Sequence, residues 1–171
     1  TTVNTGDGDD LVYVGSEAGL WDAGFSNVNG DGNGIAALLT INGGAGIDHV
    51  DVDDTHDNVD DVGTLTGTLL SGIFASGGSM AYGTLERLDI HLGDAPHGNS
   101  LTIQSTHSTP YTVGNDHFRA FTYVDTGSGA DSIYIETIAG PTFVDTGAGD
   151  DVVRVGSHAS AVDPSTSRLD G

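Results

Sequence analysis

The phrase TGDGDDLVYVGS at residues 5–16 returns almost unchanged as TGAGDDVVRVGS at 146–157. Residues 4–30 and 145–171 align without a gap, an offset of 141 positions. Thr5, Gly6, Gly8, Asp9, Asp10, Val12, Val14, Gly15 and Ser16 recur as Thr146, Gly147, Gly149, Asp150, Asp151, Val153, Val155, Gly156 and Ser157. Asp22, Ser26 and Gly30 recur as Asp163, Ser167 and Gly171. Self-similarity at a fixed period is the mark of a repeat architecture and constrains the fold more than any local propensity. The chain reads as one unit over 1–171: a super-repeat of about 141 residues followed by the opening of the next, as in a tandem array.

A shorter unit lies inside that period, of the form apolar–Asn/Asp–Thr/Gly–Gly–x–Gly–x–Asp–x–apolar–x–apolar. Its copies are VNTGDGDDLVYV (3–14), INGGAGIDHVDV (41–52), VDTGSGADSIYI (124–135) and VDTGAGDDVVRV (144–155). LDIHLGDAPHGNSLTI (88–103) is a degenerate copy, with two extra residues and Asn99 at the aspartate position. The last two full copies are 20 residues apart; the other intervals of 38, 49 and 34 read as about two coils each. Glycine turns alternating with period-2 apolar residues specify strands, not helices. The fold expected is all-β: a right-handed parallel β-helix, or β-solenoid, with glycine-rich calcium-binding turns. Val12/Val14, Val50/Val52, Ile133/Ile135 and Val153/Val155 are expected to face inward, and Tyr13, Asp51, Tyr134 and Arg154 outward. The one helical candidate, Tyr82–Arg87, is a single turn long.

Stacking such coils piles equivalent aspartates into columns at roughly 4.8 Å spacing. Two bare carboxylates at that distance repel by about 0.9 kcal/mol in bulk water, and several-fold more where solvent is excluded. The chain has 25 acidic residues against four arginines and no lysine, a net charge of −21, so protein cations cannot neutralise the columns. A bound ion can. Calcium (Ca2+) accepts six to eight oxygens in loose geometry, whereas magnesium demands a tighter octahedron and zinc prefers His or Cys. The residues expected to hold it are Asn4, Asp7, Asp9, Asp10, Asn42, Asp48, Asn99, Asp125, Asp131, Asp145, Asp150 and Asp151. The alternative is glycine turns with solvated aspartates, an acidic surface suited to saline water.

GGAGIDHVD (43–51) resembles the calcium-binding nonapeptide of the RTX-type repeats of secreted bacterial proteins. RTX rolls carry two such nonapeptides back to back in each coil and hold two calcium columns. This chain has one per coil or fewer, and three copies have Thr (Thr5, Thr126, Thr146) in place of the first glycine. Taken whole, a Gly-Asp turn, a spacer, then segments like GTLTGTLLSGI (63–73) and MAYGTLERLDIHLG (80–93), the pattern is similar to the long repeats of very large bacterial exoproteins. That resemblance implies an extracellular or cell-surface, calcium-associated role with no enzymatic activity.

Other constellations carry less. DVDDTHDNVDD (51–61) packs six aspartates into eleven residues but lacks the glycine and glutamate of an EF-hand loop; it is an acidic loop that borrows a cation or a solvated bulge. The seven histidines show no metal-ligand spacing; His49 and His91 fall at outward positions. Trp21, Tyr13, Tyr134 and Phe143 form either a sugar-stacking patch or packing beneath loops. No nucleophile elbow is present, and the scarcity of cations argues against a lyase cleft for acidic sugars and against nucleic-acid binding. No segment is apolar and long enough for membrane insertion as a helix. TLTGT (64–68) is not repeated as an ice-binding array would need. The leading function is therefore a calcium-stabilised structural module of an adhesin, matrix or filament protein, self-associating end to end or joining neighbouring repeats. The alternative is a carbohydrate-binding or polysaccharide-modifying β-helix. Whether 55–92 winds as regular coil or loop stays open at this point.

Overall fold

A computed structural model describes residues 1–18 and 29–159; Trp21, and the parts of the long duplication at 19–28 and 160–171, lie outside the described residues. Every regular element described is a strand. The chain forms β1 (Thr2–Asp7), β2 (Leu11–Val14), β3 (Leu38–Ala45), β4 (His49–Asp53), β5 (Val62–Leu65), β6 (Leu69–Ser71), β7 (Ser79–Gly83) and β8 (Arg87–His91). It continues through β9 (Ser100–Ile103), β10 (Pro110–Val113), β11 (Asp116–Arg119), β12 (Phe121–Asp125), β13 (Ser132–Ile135), β14 (Thr142–Asp145) and β15 (Val152–Val155). Tyr82–Arg87 is not a helical turn: Tyr82 ends β7's inward row and Arg87 opens β8, with a corner between them.

The strands wind into a β-solenoid. One sheet has five strands in the order β14-β12-β8-β4-β2, all parallel. The other has eight, in the order β1-β3-β7-β6-β5-β9-β13-β15, parallel except where β6 pairs antiparallel with β5 and with β7. Two corners recur at each level. A first corner leads from β1, β3 and β7 into the five-stranded sheet at β2, β4 and β8. A second corner leads out of it, from β4, β8, β12 and β14 to β5, β9, β13 and β15. A separate hairpin, β10–β11, stands between β9 and β12.

The register fixes the coil lengths. In the five-stranded sheet Val12 pairs with Val50, Val50 with Leu88, Leu88 with Thr122, and Thr122 with Thr142. The successive steps are therefore 38, 38, 34 and 20 residues. The expectation of two coils per long interval fails: 38 residues make one coil, and in the step from β4 to β8 the intervening chain builds three strands, β5, β6 and β7, in the eight-stranded sheet. Segment 55–92 contributes β5, β6 and β7 to that sheet and β8 to the other, so it is strand and not a bulged loop.

Alternation places the core as expected in most positions. Val50, Val52 and Ile133 are fully buried, Val14 is buried, and Val12 and Ile135 pack against the same cluster. Val153 and Val155 remain about half exposed because β15 is the outermost strand of its sheet among the described residues. Tyr134 alternates with the core residues Ile133 and Ile135 yet is buried, with the Arg154 guanidinium 5.6 Å above its ring. The spacers add to the apolar core, with Leu65, Leu70, Ile73, Met80 and Leu85 all sealed from solvent. Burying a side chain of this size contributes roughly 1.5–3 kcal/mol.

Candidate metal centre

The expected ligands are divided between the two corners. Asn4, Asp7, Asp9, Asp10, Asn42 and Asp48 belong to the first, and Asn99, Asp125, Asp131, Asp145, Asp150 and Asp151 to the second. At each corner the acidic residues do stack, and the stack is held by backbone amides. At the first corner, the Asp10 amide donates to the Asp48 carboxylate (3.1 Å) and the Asp48 amide to Glu86 (2.8 Å). At the second, the Asp61 amide donates to the Asn99 side-chain oxygen (3.0 Å), the Asn99 amide to Asp131 (2.6 Å) and the Asp131 amide to Asp151 (3.0 Å). Each side chain thus receives the N–H of its counterpart one coil away. Such bonds favour the ionised form, but at the first corner burial outweighs them and raises the Asp48 and Glu86 carboxyls, and one oxygen each of Asp10 and Asp48 stays without a partner.

Smaller details complete these ladders. Asp131 also accepts the Thr126 hydroxyl (2.6 Å), and the Thr5 hydroxyl donates to the Gly43 carbonyl (2.5 Å). Thr at the first glycine position therefore has a structural task that RTX glycine does not perform. Asn99 is a neutral rung between Asp61 and Asp131, and its Nδ2 donates to the carbonyls of Gly93 (2.9 Å) and Thr126 (3.2 Å). Asp125 and Asp145 accept the amides of Gly127 and Gly147 two residues on (3.1 Å each), closing their turns. Asp9 accepts the Ile47 amide (2.9 Å), and Asn42 donates to Asn4 (2.8 Å). Asp7 and Asp150 are exposed.

Carboxylates close enough to share an ion occur elsewhere. Among the described residues, oxygens of Asp54, Asp57 and Asp61 lie within 4.8 Å of one another. All three sit in the loop from β4 to β5, beside the second-corner ladder that begins at Asp61. Segment 29–33 covers them: the Gly32 amide donates to Asp54 Oδ1 (2.7 Å) and the Asn33 side chain to Asp57 Oδ2 (2.9 Å). The Val59 amide fixes Asp57 Oδ1 (2.9 Å). Burial drives the Asp54 carboxyl up to about 8, with Asp61 adding to the rise. Burial raises Asp61 as well. The sequence marked this run by its six aspartates, but the motif reading assigned the ion to the glycine corners. No spacing rule reveals that Asp54, Asp57 and Asp61 converge; that follows from the loop turning under segment 29–33.

The histidines are spoken for differently. His49 Nε2 lies 3.0 Å from Asp89, which Arg87 also engages at 2.6 Å. Burial works to raise the Asp89 carboxyl, yet the hydrogen bonds from His49 and Arg87 outweigh it and hold it below the ordinary value. His91 lies 3.8 Å from both Asp51 and Asp125. These outward residues form a charged strip along the five-stranded sheet and bring no histidine into the three-aspartate cluster. The oxygen-only donor set of Asp54, Asp57 and Asp61 suits a hard cation. No protein-family model, curated protein or solved structure matches this chain.

Proposed function

We propose that this chain is a calcium-stabilised structural repeat module of an extracellular or cell-surface bacterial protein, of the adhesin, matrix or filament kind, and that modules stack head to tail. It is assigned no catalysis. The observation that carries this reading is the apolar rim at β14 and β15. Phe143, Val153 and Val155 are about half exposed there, while Ile133, Leu101 and Ile103, stacked inside the same sheet as the two valines, are sealed. The molecule also contains its own precedent for covering such a rim. One motif copy stacks on another with Asp125 beside Asp145 and Ile133 beside Val153. VNTGDGDDLVYV at 3–14 has the same wording and fits the next place in that ladder, with Tyr13 above Arg154. An open, heterologous contact of this kind propagates into a fibre.

Light scattering over a concentration series in millimolar calcium tests the assembly. Growth in mass with concentration is expected, and Val153→Asp with Val155→Asp suppresses it. A single monomeric mass throughout overturns head-to-tail stacking. A carbohydrate-binding reading has one specific observation in its favour: the exposed Phe143 ring stacks on Tyr123 (5.5 Å, 12°), an aromatic platform of the kind that packs against a sugar face. Affinity electrophoresis on neutral and acidic polysaccharides, with Phe143→Ala as control, tests that reading.

A further inference from the structure

We propose that Asp54, Asp57 and Asp61 form a divalent-cation site, calcium by its donor chemistry, that clamps the β4–β5 loop to segment 29–33. The inference rests on reading the module as calcium-stabilised, and it moves the ion from the glycine corners to this pocket.

Two other buried carboxylates, Asp53 and Asp131, are engaged at both oxygens. Asp53 is sealed and fully engaged: Oδ2 accepts the Gly30 amide (2.7 Å), and Oδ1 accepts the Thr55 amide (3.0 Å) and hydroxyl (2.6 Å). Asp131 is sealed, with one oxygen on an amide and the other on a hydroxyl. Asp54 differs. It is completely buried, its Oδ1 is engaged by Gly32, and its Oδ2 has no hydrogen-bond partner. Asp61 Oδ2 is likewise enclosed and without a partner. These oxygens belong to the three-aspartate cluster whose ligand atoms lie within 4.8 Å. Leaving buried acceptors unsatisfied costs roughly 1–3 kcal/mol each, and more when they are charged.

A positive group or a shared proton is needed there, and no ion pair among the described residues supplies one. The ion pairs formed among the described residues use His49, Arg87, His91 and His97, and their acidic partners are Asp51, Asp60, Asp89 and Asp125. None reaches the cluster. A proton shared between carboxylates would satisfy two oxygens; a divalent ion would engage all three residues at once. With neither Cys nor His among the donors, a hard cation fits better than zinc. The second-corner ladder starts at Asp61, and segment 29–33 is hung from Asp54 and Asp57 through Gly32 and Asn33. An ion there braces the one loop from which segment 29–33 and the second-corner ladder both hang.

The test uses the full chain, stripped with chelator and titrated at neutral pH with calcium chloride alone. Heat of binding and thermal midpoint are read together, with hydrogen exchange at 29–33 as the local probe. Saturable binding, a raised midpoint and slower exchange at 29–33 are expected. Asp54→Asn and Asp57→Asn, each isosteric, are expected to weaken calcium at least tenfold; Asp150→Asn, exposed in the glycine corner, leaves it unchanged. If Asp54→Asn does not fold by circular dichroism, Asp61→Asn carries the same arm. A full calcium response in folded Asp54→Asn and Asp57→Asn overturns the site, and loss of response in Asp150→Asn returns the ion to the glycine corner. No response in the unaltered chain overturns the site and removes calcium from the functional reading. Head-to-tail growth measured in chelator remains a separate result.

Discussion

The two ends of the solenoid turn the same corners with very different amounts of chain. Between β2 and β8 each step in the five-stranded sheet takes 38 residues, whereas the step from β12 to β14 takes 20. The coil from β4 to β8 spends the difference on β5, β6 and β7, which place Leu65, Leu70 and Met80, with Ile73 between β6 and β7, in a core closed to solvent. The short coil closes over little more than Val124 and Ile133, with Val144 only partly covered. Corner ladders nevertheless look alike in both parts, a side chain receiving the amide of its counterpart one coil away. Corners set register; spacers set stability.

The largest effect expected from this contrast is in the core. Leu70→Ala in the wide part is expected to cost about 3–4 kcal/mol in urea unfolding, and Val144→Ala in the narrow part about 1 kcal/mol or less. Equal costs would mean that the spacers add bulk without adding stability.

Next is crowding at a corner between two coils. Gly44 (φ +114°) sits where an added Cβ would meet the Gly6 carbonyl oxygen, while Gly6 (φ +103°) has open space around its own position. Both positions favour glycine by conformation, but one is also blocked. Gly44→Ala is expected to cost about 3 kcal/mol and Gly6→Ala about 1 kcal/mol, measured by denaturant midpoints. Similar values for the two would show that coil-to-coil approach is not what these glycines serve.

The smallest effect is pH dependence confined to the wide part. His107 is buried beside Thr122, and burial depresses its imidazole to about 4. The unfolded chain then binds the proton first, so stability present above the ordinary value near 6.5 is lost as pH falls through 6.5 toward 4. The loss amounts to roughly 2 kcal/mol at pH 5. Urea midpoints at pH 7.5 and 5 for the unaltered chain and for His107→Gln isolate it, since the variant should lack this share of the decline. Hydrogen exchange should loosen around β9 before β13 or β15.

How much of this was legible beforehand differs by residue. The parallel stack followed from Val12, Val50, Ile133 and Val153 alternating behind Gly-x-Gly turns, because a two-residue period admits one backbone geometry. The coil length did not follow, since a motif interval of 38 is equally one wide turn or two narrow ones, and only the antiparallel return of β6 decides. The acidic columns were foreseen; the amide bonds between their rungs were not. Counting arginines overlooks that every strand entering a corner carries a backbone N–H, and the Asp10 and Asp131 amides each engage one oxygen of the next rung. Asn99, which read as a decayed motif position, is a neutral rung with three hydrogen bonds of its own besides its amide. Asp54, Asp57 and Asp61 stood out by density alone; their convergence depends on Gly32 and Asn33, which are remote in sequence.

One placement has a further consequence. VNTGDGDDLVYV occupies the first corner, and its near twin VDTGAGDDVVRV the second. Identical wording thus begins its circuit at a different azimuth after each lap. A series of such units would carry any given patch spirally around the axis, so that neighbours present it to different quarters of their surroundings and no flat target meets them all.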